Sequence, residues 1–201
     1  MPVVLQWLAQ AENHHVITYL DPRYPALLKQ TKQPPLLLFI KGNPQVLAQQ
    51  QLAMVGSRQP TPTGRKVAQS FAAELSQQGY VITSGMARGI DSESHKGALQ
   101  AGGLTIAVLG HGLEQVYPLS NKALAQAIAE QGALVSEYFP DVQARAEWFP
   151  QRNRIVVGLS IGTIVVEAGL KSGTLISANL AAEYSRDVFA VPGSVYSPQS
   201  A

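Results

Sequence analysis

The chain has 201 residues, 46% of them hydrophobic and 14% charged, and its formal net charge is +2. This composition supplies one sizeable core and excludes a disordered chain, and so small a net charge does not by itself indicate nucleic-acid binding. The absence of cysteine excludes disulfides, thiolate nucleophiles and cysteine-based zinc sites.

Two further patterns exclude metal and membrane classes. The four histidines lack the spacing of a metal site, and no apolar run approaches the length of a membrane span. The segment 1–7 has neither the basic start nor the apolar core of a signal peptide. We therefore expect a soluble, cytoplasmic protein with no metal, no other cofactor and no membrane partner.

Residues 1–51 are a patchwork of short elements, which we interpret as an N-terminal extension that packs on the core. The predicted elements are a short helix at Trp7 and Leu8, a strand Val16–Leu20, a helix that ends at Leu28 and a strand Leu36–Ile40. Asp21 and Pro22 are a plausible N-cap and first position for the second of these helices.

Residues 52–201 follow a regular alternation of strands and helices. Six short apolar runs predict strands at Leu52–Val55, Tyr80–Thr83, Thr105–Leu109, Ala133–Val135, Thr163–Val166 and Val188–Val191. Amphipathic stretches between most of them predict helices, with apolar faces at Val67/Phe71/Leu75, Leu124/Ala127/Ile128 and Leu175/Ile176/Leu180. This alternation predicts a doubly wound α/β domain with a parallel sheet covered on both faces. Ligands of such sheets lie beyond the carboxyl ends of the strands.

The loop Gly56-Ser57-Arg58 directly follows the first of these strands, and Gly64 precedes a helix that we expect to start near Arg65. A strand, a glycine-bearing loop and a helix N-terminus together form a cradle for an anion. A tight turn with Arg58 in solvent is the alternative. The loop lacks the G-x-G-x-x-G pattern, so a dinucleotide site is weakly supported.

The loop 84–91, Ser84-Gly85-Met86-Ala87-Arg88-Gly89-Ile90-Asp91, follows the next strand. Gly85 and Gly89 permit positive φ and a close approach of the backbone. Asp91 suits an N-cap or the first turn of the next helix, and we expect a capping role for it. We expect His95 on that helix to be a surface or packing residue.

The run Phe149–Ile155 combines two arginines, an asparagine and an aromatic ring in an otherwise lightly charged chain. Arginine suits phosphate, and aromatic faces such as those of Phe149 or Trp148 stack on bases. Asn153 can bond the backbone or a base edge.

The two arginines of this run do not share a helix face, because they are two residues apart. One of Arg152 and Arg154 could therefore bind phosphate, while the other forms a structural ion pair with Glu137 or Glu167. The sequence leaves open which arginine takes which part.

The segment Lys171-Ser172-Gly173-Thr174 resembles part of a phosphate loop. The full G-x-x-x-x-G-K-[ST] motif is absent, so hydrolysis of a nucleoside triphosphate is not implied. Glu167, at the end of a predicted strand, could be a catalytic carboxylate, but we prefer the interpretation that it orients Lys171 or an arginine.

Together these motifs resemble the bacterial DNA processing protein family DprA, also called Smf. The matching segments, spread over roughly Val16 to Gly193, are Met54–Arg58, Thr83–Asp91 with His95, Gly102–Gly110, Gly112–Leu113, Tyr117–Pro118, Ser136–Glu137, Phe149–Ile155, Val165–Ala168, Lys171–Thr174 and Pro192–Gly193.

The resemblance implies an extended Rossmann-like domain that binds single-stranded DNA. It further implies protection of incoming strands in natural transformation, assistance in loading RecA onto them, a homodimer and no enzymatic activity. Family members commonly carry a small N-terminal helical domain and often a C-terminal winged-helix-like domain. We expect this chain to lack both and the 52–201 domain to be C-terminally truncated.

We expect one DNA-binding pocket at the carboxyl ends of the strands. The predicted DNA-binding residues are Gly56, Ser57, Arg58, Ser84, Gly85, Gly89, Phe149, Arg152, Asn153, Arg154, Lys171, Ser172 and Gly173. From Leu52 to Gly193 there are 11 Lys+Arg and 11 Asp+Glu, so binding must depend on a local cluster. Arg58 and Lys171 are the expected phosphate ligands.

An enzyme is one alternative, and a scaffold whose main business is contact with other proteins is another. Nucleotide phosphoribohydrolases that act on nucleoside monophosphates share this kind of domain and use a glutamate at a strand end, a role that Glu167 could take. Their P-G-G-x-G-T-x-x-E pattern is absent from this chain. Release of free adenine from AMP would identify such an enzyme.

Overall fold

The structure is a computed structural model that describes residues 2–169 and 173–193. Its strands are β1 (His14–Thr18), β2 (Leu37–Gly42), β3 (Gln51–Gly56), β4 (Val81–Ser84), β5 (Thr105–Val108), β6 (Ala133–Ser136), β7 (Gly162–Val166) and β8 (Asp187–Ala190). Its helices are α1 (Pro2–Ala9), α2 (Ala26–Lys29), α3 (Pro62–Gln77), α4 (Ile90–Gln100), α5 (Lys122–Gln131), α6 (Trp148–Gly158) and α7 (Gly173–Glu183), with 3₁₀ helices at Pro44–Ala48 and Leu119–Asn121.

All eight strands form one sheet in the order β1-β2-β6-β5-β4-β3-β7-β8. In this spatial order the six strands β6, β5, β4, β3, β7 and β8 are parallel. The strands β1 and β2 form an antiparallel pair at one edge, and β2 also pairs antiparallel with β6. The sequence from 14 to 42 therefore contributes strands to the same sheet as the alternating region.

The central strands are buried on both faces because helices cover both sides. Met54 packs in one core cluster with Ala68 and Ala72 of α3, whereas its neighbours Ala53 and Val55 pack in another with Ile155 of α6. Successive strand residues point to opposite faces, so continuous apolar runs are what a sheet in a three-layer domain requires. The predicted fold, a doubly wound and mostly parallel Rossmann-like sheet, is confirmed.

The helix predicted from Pro22 to Leu28 is wrong in its start. The helix α2 spans only Ala26–Lys29. Asp21 does not cap it, because its carboxylate instead accepts hydrogen bonds from the backbone N–H and the guanidinium of Arg23. Pro25 directly precedes α2, and a proline disfavours helical backbone in the residue before it.

The far edge of the sheet is more exposed than the sequence pattern predicts. All four residues of β8 are exposed, and Leu175 and Ile176, which were predicted to form a buried helix face, are about two-fifths exposed. Within the described residues no strand lies beyond β8, which leaves this edge without the neighbour that covers the inner strands. None of the helices in the described ranges could span a membrane.

Candidate functional site

A cavity of about 880 Å³ opens at the carboxyl ends of β3, β4 and β5. The loops that follow these strands form its walls, and the N-terminal part of α6 closes one side. Among the described residues its lining contains five cations and one acid: Arg58, Arg65, Arg88, Lys96 and Arg152, with Glu93. The cavity therefore concentrates positive charge in a region, residues 52–193, that contains as many acids as bases in total.

Arg152 forms the buried part of this lining. It is 5% exposed, and its Nε atom has no hydrogen-bond partner within the part of the chain that the structure describes. Burial lowers the pKa of its guanidinium, while the charge of Asp91 raises it, and arginine stays protonated in proteins. A buried cation with an unsatisfied donor is costly for stability and is typical of functional sites.

Gly85 provides the space for Arg152. A Cβ atom built on Gly85 would overlap the guanidinium of Arg152 and the carboxylate of Asp91. The Arg152 guanidinium and the Asp91 carboxylate therefore both lie beside Gly85, where a larger residue would overlap them. The contribution of Gly85 is steric, because it does not line the cavity.

The carboxylate of Asp91 compensates the positive charge of Arg152. Burial raises the pKa of the Asp91 carboxyl, and the charge of Arg152 and a hydrogen bond from the Ala87 N–H, at 3.3 Å, act against this rise. Gly89 is the N-cap residue of α4, so Asp91 lies in the first turn and does not cap the helix end with its side chain. The expected capping role is therefore replaced by an electrostatic one.

The loop between β4 and α4 is held by side chains from two elements. Ser92 donates a hydrogen bond to the Ala87 carbonyl at 2.6 Å, and the Asn121 amide donates to the Met86 carbonyl and to Ser92 Oγ, each at 2.9 Å. This network fixes the loop in the cavity wall, with the exposed Arg88 at the cavity.

Gly89 joins this loop to the one after β3. Its φ is +84°, and a Cβ there would overlap the Ser57 carbonyl and the backbone of Arg58. Only glycine readily combines that φ with such a close approach. The contact brings Arg58 and Arg88 to the same cavity.

Three small residues that were predicted to bind DNA lie outside the cavity lining and instead make contacts between neighbouring strands and loops. Gly56 lets the backbone of β3 approach the Val166 carbonyl, the Ser57 N–H donates to the Glu167 carbonyl at 2.8 Å, and Ser84 Oγ donates to the Met54 carbonyl at 2.6 Å. The cavity lining includes none of Gly56, Ser57 and Ser84.

The predicted anion cradle at the N-terminus of α3 is occupied by a protein carboxylate. The helix begins at Pro62 instead of near Arg65, and the hydroxyl oxygen of Thr61 accepts from the Gly64 N–H at 3.0 Å. The Glu167 carboxylate accepts from the backbone N–H and the hydroxyl of Thr61. A protein carboxylate thus lies at the positive end of the helix dipole, where the sequence predicts a phosphate.

The ion pair that the sequence left open belongs to Arg154. Its guanidinium pairs with Glu137, and the two side chains are 20% and 18% exposed. The cavity lining includes neither Arg154 nor its neighbour Asn153. Of the two arginines, Arg152 is the one at the cavity.

We expect Arg154→Gln to lower the free energy of unfolding by about 1–3 kcal/mol, because Glu137 loses a charged partner in a partly buried pair. The same substitution should leave the affinity for an anionic ligand of the cavity unchanged. Urea denaturation and a binding titration on one preparation check both parts. A large loss of affinity with unchanged stability would place Arg154 in the binding site.

Two aromatic rings form the stacking surface of the cavity. Phe149 and Tyr117 both line it, with ring centroids 5.3 Å apart and planes at 22°, and Tyr117 is about half exposed. Trp148 stacks on Tyr138 and lies under Arg145, outside the lining. Of the two candidate rings, Phe149 is the one at the cavity.

The histidines near the site are neutral at neutral pH. Burial lowers the pKa of His95 to about 4, and burial lowers the pKa of His111 as well. His95 is fully buried, and its ring nitrogens lie 2.7 Å from Thr105 Oγ1 and 3.2 Å from the Gly85 carbonyl, so it is a packing residue. The charge of the cavity therefore comes from arginine and lysine, which keep it constant around neutral pH.

The last predicted segment of the site is only partly described. Lys171 and Ser172 lie outside the described residues. Gly173 is the first residue of α7, it is exposed, and the cavity lining does not include it.

Several cavity residues were not predicted as site residues: Arg65, Arg88, Lys96, Tyr117 and Asn121. Arg88 and Tyr117 belong to the segments Thr83–Asp91 and Tyr117–Pro118, and the position of each segment after a predicted strand was a usable signal. Arg65 and Lys96 lie on two helices, and no local pattern shows that these helices meet. No group of metal-ligating residues was found in the described part of the chain.

Comparison with protein families gives one match over most of the chain. The family model described as DNA recombination-mediator protein A matches residues 15–201. Protein Smf of Escherichia coli (strain K12) is 47% identical over 197 residues, which cover 98% of this chain and 52% of that protein. The chain thus spans about half the length of this curated relative.

Two solved structures share the fold closely. DNA processing protein A from Streptococcus pneumoniae superposes with a TM-score of 0.90 at 43% identity, covering 94% of this chain and 66% of that one. DNA processing protein A from Helicobacter pylori gives a TM-score of 0.83 at 33% identity, covering 91% and 82%. The Helicobacter structure was determined for the single-stranded DNA binding mode of that protein.

Proposed function

Because the chain belongs to the DNA recombination-mediator protein A family, we propose that its cavity binds single-stranded DNA through phosphate contacts and base stacking. The observation that carries the proposal is the buried guanidinium of Arg152 in a cavity also lined by Arg58 and Arg88. These three arginines come from three separate segments, and the fold brings them together.

The aromatic pair supports a single-stranded ligand. Phe149 and Tyr117 offer a ring surface beside the cations, and a base can stack there only when it is free of its own neighbours in a duplex. A stacked base contributes about 1–3 kcal/mol. Phosphate contacts carry no sequence information, so little sequence preference is expected.

The charge distribution supports a local site. Five of the 11 cations between residues 52 and 193 line the cavity, although that region contains as many acids as bases. A single strand of DNA is therefore attracted to the cavity and not to the protein surface as a whole. If about four phosphates are contacted, the affinity should fall about fifty-fold between about 50 and 200 mM salt.

A binding module fits the site better than an enzyme does. The glutamate that could serve a phosphoribohydrolase, Glu167, is bonded to Thr61 at the start of α3 and does not line the cavity. Incubation with AMP should release no adenine. Release at an enzymatic rate would favour the alternative function.

The proposal extends to the biological role that the family resemblance implies. We propose that the protein acts in the cytoplasm, protects single strands that enter during natural transformation and passes them to RecA. A homodimer would place two cavities on one strand and raise the effective concentration of the second contact. The mass in solution, with and without DNA, and RecA filament formation on protein-coated strands test these parts.

We expect Arg58→Ala and Arg88→Ala each to weaken single-strand binding about fivefold at about 0.1 M salt, because each removes one phosphate contact. The loss should be the same for all base sequences. The slope of the logarithm of affinity against the logarithm of salt concentration, called the salt slope, should fall in magnitude by about 0.7. Because both arginines are exposed, neither substitution should destabilise the fold. Lys66→Ala, an exposed cation outside the cavity, is the matched control. Unchanged affinity in both arginine variants would move the site elsewhere.

A further inference from the structure

Two cations from different helices share one buried carboxylate at the edge of the cavity. Arg65 of α3 and Lys96 of α4 approach the same oxygen of Glu93, with Nη1 at 3.5 Å and Nζ at 3.0 Å. Gln69 donates a hydrogen bond to the other oxygen of Glu93. Both oxygens of the carboxylate are therefore engaged.

Close packing of α3 against α4 fixes the position of Glu93 and its two cations. A Cβ on Gly97 would overlap the Gln69 carbonyl, so α4 approaches the backbone of α3 as closely as glycine allows. The Glu93 side chain is 8% exposed at this contact. Although burial raises the pKa of the Glu93 carboxyl, hydrogen bonds from Lys96 and Gln69 and the charges of Lys96 and Arg65 lower it overall. Glu93 is thus a fixed anion that positions its two partners.

The two cations retain capacity for a ligand. The side chains of Arg65 and Lys96 are 45% and 46% exposed, whereas Glu93 is nearly covered. Arginine has five N–H donors and lysine three, and the contacts with Glu93 use one nitrogen of each. Two positive charges on one negative charge leave a net charge of about +1, which a phosphodiester can neutralise.

We propose that Arg65 and Lys96, positioned by Glu93, form a second phosphate subsite over which a long single strand leaves the cavity along the contact of α3 and α4. The subsite lines the same cavity as Arg152 but is built from α3 and α4, whereas Arg58 and Arg88 lie on the loops after β3 and β4 and Arg152 lies on α6. The proposal rests on the proposed function, because it concerns a strand whose inner nucleotides occupy the cavity.

The test compares Arg65→Gln/Lys96→Gln with the wild-type full chain on oligothymidylates of about 4 to about 20 nucleotides. The shortest strand that the wild type binds should bind the double variant equally well, because it fills only the inner cavity. The longest strand should lose about 25-fold in affinity at about 0.1 M salt, as two contacts at about fivefold each are removed, and its salt slope should fall by about 1.4.

Lys29→Gln/Lys66→Gln is the matched control, because it removes two exposed cations outside the cavity. It should leave the affinity for both lengths unchanged. An equal loss for short and long strands in the Arg65/Lys96 variant, or no loss for long ones, overturns the subsite. A wild type that binds no strand of any length contradicts the proposed function itself, which is a separate result.

Discussion

Replacing Arg152 with methionine is expected to lower the free energy of unfolding by about 3–5 kcal/mol at neutral pH. Methionine keeps most of the hydrocarbon stem but leaves the carboxylate of Asp91, which is 8% exposed, without its compensating charge. Removal of one partner of a buried charge pair is costly because the other charge stays desolvated.

The loss should depend on pH in a defined direction. Burial already raises the pKa of Asp91 in the folded protein, and loss of the Arg152 charge raises it further, while the pKa in the unfolded chain keeps its usual value. A group whose pKa is raised by folding contributes stability at low pH that is lost as the pH rises through the folded pKa. The deficit of Arg152→Met should therefore be small near the usual aspartate pKa and grow towards neutral pH.

Urea denaturation at about pH 4 and about pH 7 measures this difference. In an Asp91→Asn background, adding Arg152→Met should give a cost that no longer varies with pH, because the titrating group is gone. A pH-independent deficit in the single variant would show that Asp91 and Arg152 are not coupled.

Replacing Gly85 with alanine is expected to destabilise the protein by about 1–3 kcal/mol and to weaken single-strand binding, because the new methyl group overlaps the Arg152 guanidinium and the Asp91 carboxylate. The guanidinium must move, and in the proposed function it is the buried contact of the site. Equilibrium unfolding and a titration with oligothymidylate measure the two effects.

A double-mutant cycle separates this clash from a general effect on the loop. In the Arg152→Met background the Gly85→Ala substitution should cost less, because methionine has no guanidinium at the position that the new methyl group occupies. The binding titration should show almost no further loss, since the displaced group is already absent. Additive effects on both stability and binding would contradict a direct contact between positions 85 and 152.

The sequence predicts those parts of the structure that depend on interactions between residues close together in the chain. Strands β3 to β8 lie within about a residue of their predicted positions, because apolar runs and turn residues act over a few neighbours. The helix expected after Asp21 starts late for the same kind of reason, since a local hydrogen bond to Arg23 competed with the cap. Boundaries at such turns depend on which local interaction wins.

The sequence by itself determined the alternation of strands and helices, the family and the segments around Arg58, Gly89 and Arg152 that line the cavity, because periodicity and glycine-bearing motifs are properties of short segments. Only the tertiary structure decided that Arg152 lines the cavity while Arg154 pairs with Glu137, and that Arg65 and Lys96 meet at Glu93. These pairings depend on the order of the strands and on how closely the helices pack, and such distances between segments are not encoded in any local pattern.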